Sequence, residues 1–393
     1  MAKELTSARV NLFTESLIRE MTRVNDMHQG INLAQGFPDF DPPKPVIEAA
    51  KLALEQGYNQ YAITWGSPRL RKAIAEKFAQ YNGLTPDPDK HVTVTCGSTE
   101  AMMATMLATV NPGDEVIIFE PFYENYGPDT LLAGARPIYI ALHRVGDSFN
   151  FDPEELKKAF SNKTKAIVIN TPHNPTGKVY SREELQLIAD LCLEFDAIAI
   201  SDEPYEHILY DGATHHSIAA LKGMASRSIT VNSVSKTYSA TGWRVGWAIV
   251  LNEAISTAIR RVHDFLTVGA PAPLQEAAAV ALRLPPTYYQ KLARDYQARR
   301  DLMVSILDEF DLSYVTPQGA YYVMIEYPSC GYDDDLSFSH FLSKDIGVTP
   351  VPGRAFYHSP ELGKRYIRFA FPKKLATLEA VRTRLSKLSE FRR

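Results

Sequence analysis

The chain has 393 residues, 45% of them hydrophobic, and a formal net charge of −4 at pH 7, so it can form two domains with large apolar cores. It lacks the general basic surface that nucleic acids need, and its three cysteines (Cys96, Cys192 and Cys330) are too widely spaced for a disulfide framework or a zinc site, which indicates reduced thiols. Because it shows neither a signal-peptide pattern nor an apolar run of membrane-spanning length, the sequence predicts a soluble cytoplasmic protein with no nucleic-acid or membrane partner.

Short apolar strands alternate with helical segments between about residues 45 and 282. In chain order, the predicted strands cover residues 92–96, 115–119, 137–140, 166–170, 197–201, 227–233 and 243–250. Helices are predicted over residues 100–110 and 181–195, and the second begins with Ser181 as a capping residue before acidic first-turn residues. This alternation predicts an α/β fold with a mainly parallel sheet and helices on both faces.

The pattern changes after residue 285. A long helix is predicted over residues 287–310, and strands are predicted around residues 320–326 and 366–371. A long helix followed by separated strands is typical of an α+β arrangement. We therefore expect a large domain over residues 45–282 and a smaller α+β domain after it.

Polar side chains follow two of the predicted strands. Asn174 comes shortly after the strand 166–170, and Asp202 and Tyr205 follow the strand 197–201. In open α/β sheets, ligands bind at the carboxyl ends of strands, so these side chains are candidates for one site. A fixed carboxylate such as Asp202 can keep a pyridine ring protonated as an electron sink, and Asn174 and Tyr205 can donate to a ring oxygen. By itself, the sequence Asn-Pro-Thr-Gly that begins at Asn174 is equally typical of a plain turn.

The segment 233–236, Ser-Val-Ser-Lys, enters the loop that leaves the strand 227–233, and Arg244 follows eight residues after the lysine. Lysines are mostly solvated surface residues, but Lys236 at a strand end facing a cavity can be desolvated, which frees its amine to form an imine. Hydroxyl groups such as that of Ser233 and the guanidinium of Arg244 are suited to hold a phosphate. An amine that can condense with an aldehyde beside a phosphate site indicates pyridoxal phosphate as the cofactor.

Taken together, these segments resemble the class I and II aminotransferases of the aspartate aminotransferase superfamily, which are fold-type I pyridoxal phosphate enzymes. The resemblance extends along nearly the whole chain, from residues 34–40 (AQGFPDF) to 368–371 (RFAF), with the motifs in family order. The segments QGFPDF, SKTYSATGWRVGW and PQGAYYVMIEY most resemble the kynurenine, glutamine and aromatic aminotransferase branch. The resemblance implies a homodimer with shared active sites. It also implies a discontinuous small domain that combines residues 1–44 with 283–393.

The family pattern implies a role for each residue that matches it. Lys236 forms the Schiff base and moves the proton of the substrate Cα, Asp202 pairs with the pyridine nitrogen, and Asn174 and Tyr205 bond the ring oxygen. The residues implied at the phosphate are Ser98, Thr99, Ser233, Arg244 and, from the neighbouring subunit, Tyr61.

The same resemblance implies the surroundings of the ring and of the substrate. Tyr123 stacks on the pyridine ring, and the residues implied around the substrate are Gly36, Asn174, Arg368 and Phe13. Arg368 binds the substrate α-carboxylate, because a planar guanidinium can donate two parallel hydrogen bonds to it. Gly36 adds a backbone amide and permits close approach of the substrate.

The predicted reaction moves an amino group from an L-amino acid to a 2-oxo acid by a ping-pong route. Some aspartate-specific relatives carry a lysine at the position of Thr99, and the kynurenine branch carries an aromatic residue and a histidine near Gly269 and Ala270. The departure at Gly269 and Ala270 argues against kynurenine itself and suggests a less filled pocket. The aromatic lining implied by Phe13, Tyr61 and Tyr123 favours neutral or aromatic substrates. Three alternatives stay open, namely an aspartate aminotransferase, a cysteine-conjugate β-lyase on the same scaffold, and a noncatalytic sensor domain.

Two histidine positions give weaker indications. His173, beside Asn174, could line the substrate pocket or serve only its own turn. His215 and His216 lie in a polar segment without a third ligand at recognisable spacing, so no metal site is predicted.

Overall fold

The structure is a computed structural model, and it describes residues 5–327 and 331–390, so Cys330 lies outside the described residues. The α-helices are α1 (Leu17–His28), α2 (Lys44–Glu55), α3 (Pro68–Asn82), α4 (Gly97–Thr109), α5 (Tyr126–Leu132), α6 (Pro153–Ala159), α7 (Arg182–Glu194), α8 (Glu253–Leu266), α9 (Ala272–Ala281), α10 (Pro286–Glu309), α11 (Asp335–Phe341), α12 (Pro360–Gly363) and α13 (Leu375–Leu385). Within the described ranges, none of them combines the length and apolar composition that crossing a membrane requires.

The strands are β1 (Ile31–Asn32), β2 (Val92–Thr95), β3 (Glu115–Glu120), β4 (Arg136–Ala141), β5 (His143–Val145), β6 (Ser148–Asn150), β7 (Thr164–Asn170), β8 (Ile198–Asp202), β9 (Ser228–Ser233), β10 (Gly246–Ile249), β11 (Ser313–Tyr314), β12 (Tyr322–Glu326), β13 (Val348–Thr349), β14 (Val351–Pro352) and β15 (Tyr366–Ala370). In the described part of the chain, seven of them form one sheet in the order β2-β10-β9-β8-β7-β3-β4. β10 is antiparallel to both of its neighbours, and the other pairs are parallel. The predicted mainly parallel sheet is therefore confirmed.

Helices cover both faces of this sheet. Ile117 and Phe119 of β3 belong to the apolar cluster that contains residues of α7, whereas Val116 and Ile118 belong to the cluster that contains residues of α4 and α5. Successive side chains of a strand point to opposite faces, so the two clusters lie on opposite sides of the sheet. The predicted cap of α7 is also present, since Ser181 and Glu184 form a reciprocal capping box.

A second, antiparallel sheet follows in the order β11-β12-β15-β14. It shares an apolar cluster with residues of α10 and α13. The N-terminal segment joins this part of the molecule, because Ile31 of β1 pairs in parallel with Val348 of β13 and Leu33 lies in the same cluster. The domain boundaries at residues 45 and 282 stay a prediction.

Candidate active site

A cleft opens at the carboxyl ends of β7, β8 and β9. It encloses about 520 Å³ of atom-free space, part of which is open to solvent. The lining residues are Ser98, Thr99, Tyr123, Tyr126, Asn170, Asn174, Asp202, Pro204, Tyr205, Ser235, Lys236, Thr241, Arg244 and Tyr322. Most of the residues predicted for the site are among them. They meet because parallel strands end at the same edge of a sheet.

Asp202 is the last residue of β8 and is buried. The hydroxyl of Tyr126 donates to its Oδ2 at 2.7 Å, whereas its Oδ1 has no hydrogen-bond partner among the described residues. Burial raises the pKa of Asp202 to about 6, although the Tyr126 bond and the charge of Lys236 act in the opposite direction. At neutral pH, Asp202 is therefore mostly ionised, with one oxygen available to a ligand.

Lys236 lies in the loop that leaves β9. Its Nζ donates to the carbonyl of Gly36 at 3.1 Å. The ring centroids of Tyr205 and Tyr321 lie 5.7 and 5.6 Å from the same nitrogen. The amine thus reaches the cleft between aromatic walls, in contact with Gly36, which the family resemblance placed near the substrate.

The first turn of α4 forms the other end of the cleft. Ser98 and Thr99 lie in this turn. The side chain of the cap residue Cys96 makes no hydrogen bond to the first backbone amides of the helix, so these amides can bind an anion. Arg244 Nη2 lies 3.4 Å from Thr99 Oγ1. A Cβ atom on Gly97 would lie 2.4 Å from the same Arg244 nitrogen, so only glycine leaves room for this approach.

The local structure around Arg244 differs from the predicted strand 243–250. A 3₁₀ helix covers Thr241–Trp243, Arg244 has a positive φ of 54°, and β10 begins only at Gly246. This turn directs the guanidinium back over α4 instead of along the sheet. Arg244 nevertheless lines the cleft, and its role at a phosphate group stays a prediction.

Several predicted residues lie outside the cleft lining. Ser233 is buried, its Oγ accepts from the backbone N–H of Ser235 at 3.3 Å, and Ser235 lines the cleft instead. Phe13 is half-buried after the 3₁₀ helix Ala8–Leu12. Tyr61 is 88% exposed and lies in a separate open cleft that Gly269 also lines. The predicted roles of Ser233, Phe13 and Tyr61 stay predictions.

Arg368 is fully buried on β15 beside the cleft. Its Nη1 donates to Asn174 Oδ1 at 2.8 Å and its Nη2 to the carbonyl of Ala34 at 2.5 Å, while its Nε has no partner among the described residues. The rings of Tyr322 and Phe356 lie 4.4 and 4.7 Å from its Cζ. The guanidinium is therefore held in place next to the cleft-lining Asn174, and its role in binding a substrate carboxylate stays a prediction.

Two tyrosines of the cleft were not predicted as site residues. Tyr126 lies three residues after Tyr123, a spacing that returns to the same face of a helical turn. Tyr322 is the second of two adjacent tyrosines, and alternation along a strand sends only one of the two toward a given face. These spacings could have indicated both residues, but neither carries a specific chemical motif.

His173 and His215, whose roles the sequence indicated only weakly, are both buried. His173 Nδ1 lies 2.7 Å from Thr176 Oγ1, and burial lowers the pKa of His173 to about 3, so a neutral histidine serves its own turn outside the cleft lining. His215 lies 3.1 Å from Glu203. The segment around His215 is neither helix nor strand, and this contact with the Glu203 carboxylate holds the buried ring in place.

His215 belongs to a cluster of three side chains with Glu203 and Glu206, and Glu203 directly follows Asp202 in the sequence. Ligand atoms of Glu203, Glu206 and His215 lie within 4.8 Å of one another, a spacing that a single metal ion could bridge. However, the two carboxylates accept hydrogen bonds from Ser201, Ser217, Asn232 and Lys77. Lys77 supplies the positive charge, so the cluster is a hydrogen-bonded ion-pair network.

Comparison with known proteins identifies the family. The model of the family described as aminotransferase class I and II matches residues 28–385. The chain belongs to the class I and II aminotransferases. Enzymes of this family are generally dependent on pyridoxal phosphate.

The relatives of this aminotransferase cover essentially its full length. Human kynurenine–oxoglutarate transaminase 1 is 38% identical over 98% of this chain and 99% of its own. The methionine aminotransferase of Escherichia coli is 37% identical over 95% of this chain and 96% of its own. The solved structure of N-succinyldiaminopimelate aminotransferase from Mycobacterium tuberculosis has a TM-score of 0.95 and 36% identity, covering 98% of this chain and all of that one.

Proposed function

We propose that this aminotransferase uses pyridoxal phosphate to transfer the amino group of a neutral or aromatic L-amino acid to a 2-oxo acid by a ping-pong route. The observation that carries the proposal is one cleft that gathers the Lys236 amine, an unpaired oxygen of Asp202, and Asn174 with its bonded partner Arg368. These groups suit a cofactor aldehyde, its ring nitrogen and a substrate carboxylate.

The cleft residues fit pyridoxal phosphate at both ends. The first turn of α4, with Ser98, Thr99 and Arg244, suits a phosphate group. The unpaired Oδ1 of Asp202 suits a protonated ring nitrogen, which would satisfy a buried acceptor. Between the two ends, Tyr123 offers an aromatic face, and Ser235 offers a hydroxyl where the sequence suggested Ser233.

Bound pyridoxal phosphate supplies an aldehyde that takes up the amino group and a ring that withdraws electrons from the substrate Cα. The amine of Lys236 removes the proton from the substrate Cα. Asp202 would hold the proton on the ring nitrogen, Asn174 and Tyr205 would donate to the ring oxygen, and Arg368 would orient the substrate through its carboxylate. The carbonyl of Gly36 accepts from the Lys236 amine, and the missing side chain makes room for the hydroxyl of Tyr322.

The charge distribution in the cleft supports a neutral or aromatic donor. Among the described residues of the lining, the cations are Lys236 and Arg244, which are assigned to the amine and phosphate positions. Thr99 provides no third cation for a side-chain carboxylate. The remaining walls are mainly aromatic, formed by Tyr123, Tyr126, Tyr205 and Tyr322. The methionine aminotransferase relative also acts on a neutral amino acid, as its name states.

The proposed active unit is a homodimer in which Tyr61 reaches the phosphate of the neighbouring subunit. Tyr61 and Phe265 are 88% and 93% exposed. Their segments are adjacent, because His263 Nε2 lies 2.8 Å from the carbonyl of Thr64. Large exposed apolar side chains on joined segments are typical of an interaction surface.

Single-turnover spectroscopy tests the proposed function. The cofactor-loaded protein is mixed with phenylalanine, tyrosine, methionine, glutamine or aspartate, and loss of the visible cofactor band is followed together with release of the 2-oxo acid. We expect the four neutral or aromatic donors to exceed aspartate in kcat/KM. A tenfold advantage for aspartate would contradict the substrate assignment and favour an aspartate aminotransferase.

The same assay separates the other hypotheses. Pyruvate and ammonia released from a cysteine conjugate at a rate above amino-group transfer would favour a β-lyase. Absence of turnover with every donor would favour a noncatalytic protein.

A further inference from the structure

Tyr322 contacts both halves of the proposed site. It is the first residue of β12, it is buried, and it lines the cleft. Its hydroxyl lies 2.9 Å from the hydroxyl of Tyr205, and its ring centroid lies 4.4 Å from Cζ of Arg368. Tyr205 faces the proposed cofactor, whereas Arg368 faces the proposed substrate carboxylate.

The hydrogen bond between the hydroxyls of Tyr205 and Tyr322 can run in either direction. A phenol has one proton to donate and can accept further bonds. If Tyr205 donates to Tyr322, its proton is unavailable to the cofactor. If Tyr322 donates to Tyr205, the Tyr205 proton is free, and the bond it accepts polarises that O–H and makes it a better donor. An anionic ring oxygen on the cofactor selects the second direction.

The ring of Tyr322 supports the arginine from one side. An aromatic face near a buried guanidinium is attractive and does not compete with the bonds that the edges of Arg368 donate to Asn174 and Ala34. The hydroxyl end of Tyr322 also lies close to Gly36, because a Cβ atom on this glycine would lie 2.1 Å from the Tyr322 hydroxyl. The glycine therefore admits the phenol, and the phenol stands between Arg368 and Tyr205.

We propose that Tyr322 is a positioning residue that orients the Tyr205 hydroxyl through its own hydroxyl and supports Arg368 through its ring. This inference rests on the proposed function, since it assigns Tyr205 to the cofactor and Arg368 to the substrate. The two contributions can be separated, because phenylalanine keeps the ring and removes only the hydroxyl.

The hydroxyl is tested by the pH titration of the visible absorbance of the cofactor-loaded protein. In Tyr322→Phe, we expect the midpoint to rise by roughly 0.3–0.7 pH unit, because weaker donation from Tyr205 leaves the cofactor ring oxygen more basic. Tyr205→Phe should raise the midpoint further. If the hydroxyl acts through Tyr205, Tyr322→Phe adds no shift in the Tyr205→Phe background.

Tyr327→Phe is the matched control. Tyr327 follows the far end of the same strand, and its hydroxyl donates to the carbonyl of Lys364 at 2.7 Å, away from the cleft lining. The midpoint in this variant should equal that of the unmodified protein.

The ring is tested by the binding of 3-phenylpropanoate, a carboxylate without an amino group. Tyr322→Phe should keep the Kd of the unmodified protein. Tyr322→Leu removes the aromatic face, and we expect its Kd to rise about 3- to 30-fold.

Each result supports or overturns a defined part of the inference. The role of the hydroxyl would be overturned if Tyr322→Phe had the same titration midpoint as the unmodified protein. It would also be overturned if Tyr322→Phe shifted the midpoint equally in the Tyr205→Phe background and in the unmodified protein. An unchanged Kd in Tyr322→Leu would overturn the role of the ring. If the unmodified protein forms no visible cofactor band, the proposed function fails and the assignment of Tyr322 fails with it.

Discussion

Asp202 uses its two carboxylate oxygens differently. Oδ2 accepts from Tyr126, and Oδ1 is buried without a partner in the described part of the chain. An unsatisfied buried acceptor costs about 1–3 kcal/mol. Under the proposed function, a protonated ring nitrogen would remove this cost by bonding Oδ1 of Asp202.

Lys236→Ala should abolish the visible band of covalently bound cofactor and slow turnover by about 10³-fold or more, because the variant has no amine to bind the aldehyde or move the substrate proton. Absorbance spectra and kcat measure the two effects. Lys163→Ala is the control, since this exposed lysine precedes β7 at the opposite end of the sheet. Near-normal turnover in Lys236→Ala would remove the lysine from its assigned role.

Arg368→Ala should lower kcat/KM for every amino-acid donor by a factor that corresponds to about 2–5 kcal/mol, because all donors carry the α-carboxylate. Arg368→Lys should recover only part of this loss, since an ammonium lacks the planar pair of donors. Arg365→Ala, which changes an exposed arginine just before β15, provides the control. A loss confined to one donor would point to side-chain recognition instead.

Helix α5 presents Tyr126 and Asp129 one turn apart on the same side. Asp129 is buried, and burial together with the charge of Asp202 raises its pKa to about 7. Its Oδ2 has no partner among the described residues. The helix thus places a second carboxyl near Asp202 that holds its proton up to about neutral pH.

This carboxyl predicts a pH-dependent stability. The unfolded chain releases the Asp129 proton near pH 4, whereas the folded protein holds it up to about pH 7, so the folded state binds more protons in this window. The free energy of unfolding should therefore fall as the pH rises from 4 to 7. Asp129→Asn should reduce this fall by an amount on the order of 2 kcal/mol.

Thermal unfolding at pH 5 and pH 8 measures the effect. The Tm difference between the two pH values should be smaller in Asp129→Asn than in the unmodified protein. Asp190→Asn on the exposed side of α7 should leave that difference unchanged. An equal pH dependence in all three proteins would show that Asp129 loses its proton at the same pH in both states.

The whole molecule exposes an apolar surface formed by residues 58–63 and 265–268. Its exposed large side chains are Tyr58, Tyr61, Ile63, Phe265, Leu266 and Val268. If this surface forms the proposed dimer, the cofactor site is complete only in the assembled protein.

Phe265→Asp should weaken the dimer, because it places a charge in an interface that must lose water. Sedimentation should show more monomer, and the Kd of pyridoxal phosphate should rise at the same protein concentrations. Val145→Asp changes another exposed apolar residue, on β5, and should affect neither measurement. A strictly monomeric protein with full activity would contradict the shared active site.

The sequence determined the local elements and the residues that follow them. The central strands and the capped start of α7 were predicted because short continuous apolar runs and capping residues act over a few neighbouring positions. The placement of Asn174, Asp202 and Lys236 in one cleft was predictable too, since parallel strands bring their carboxyl ends together.

Only the tertiary structure decided which other side chains reach that cleft. Tyr322 arrives from the second sheet and meets Tyr205 across 117 residues of sequence, and Arg368 meets Asn174 across 194. The burial of His215 against Glu203 and the replacement of Ser233 by Ser235 in the lining likewise depend on the packing of distant segments. Sequence periodicity specifies which face of an element a side chain occupies. The residue that it contacts on that face is determined by long-range packing, which joins residues that no local pattern connects.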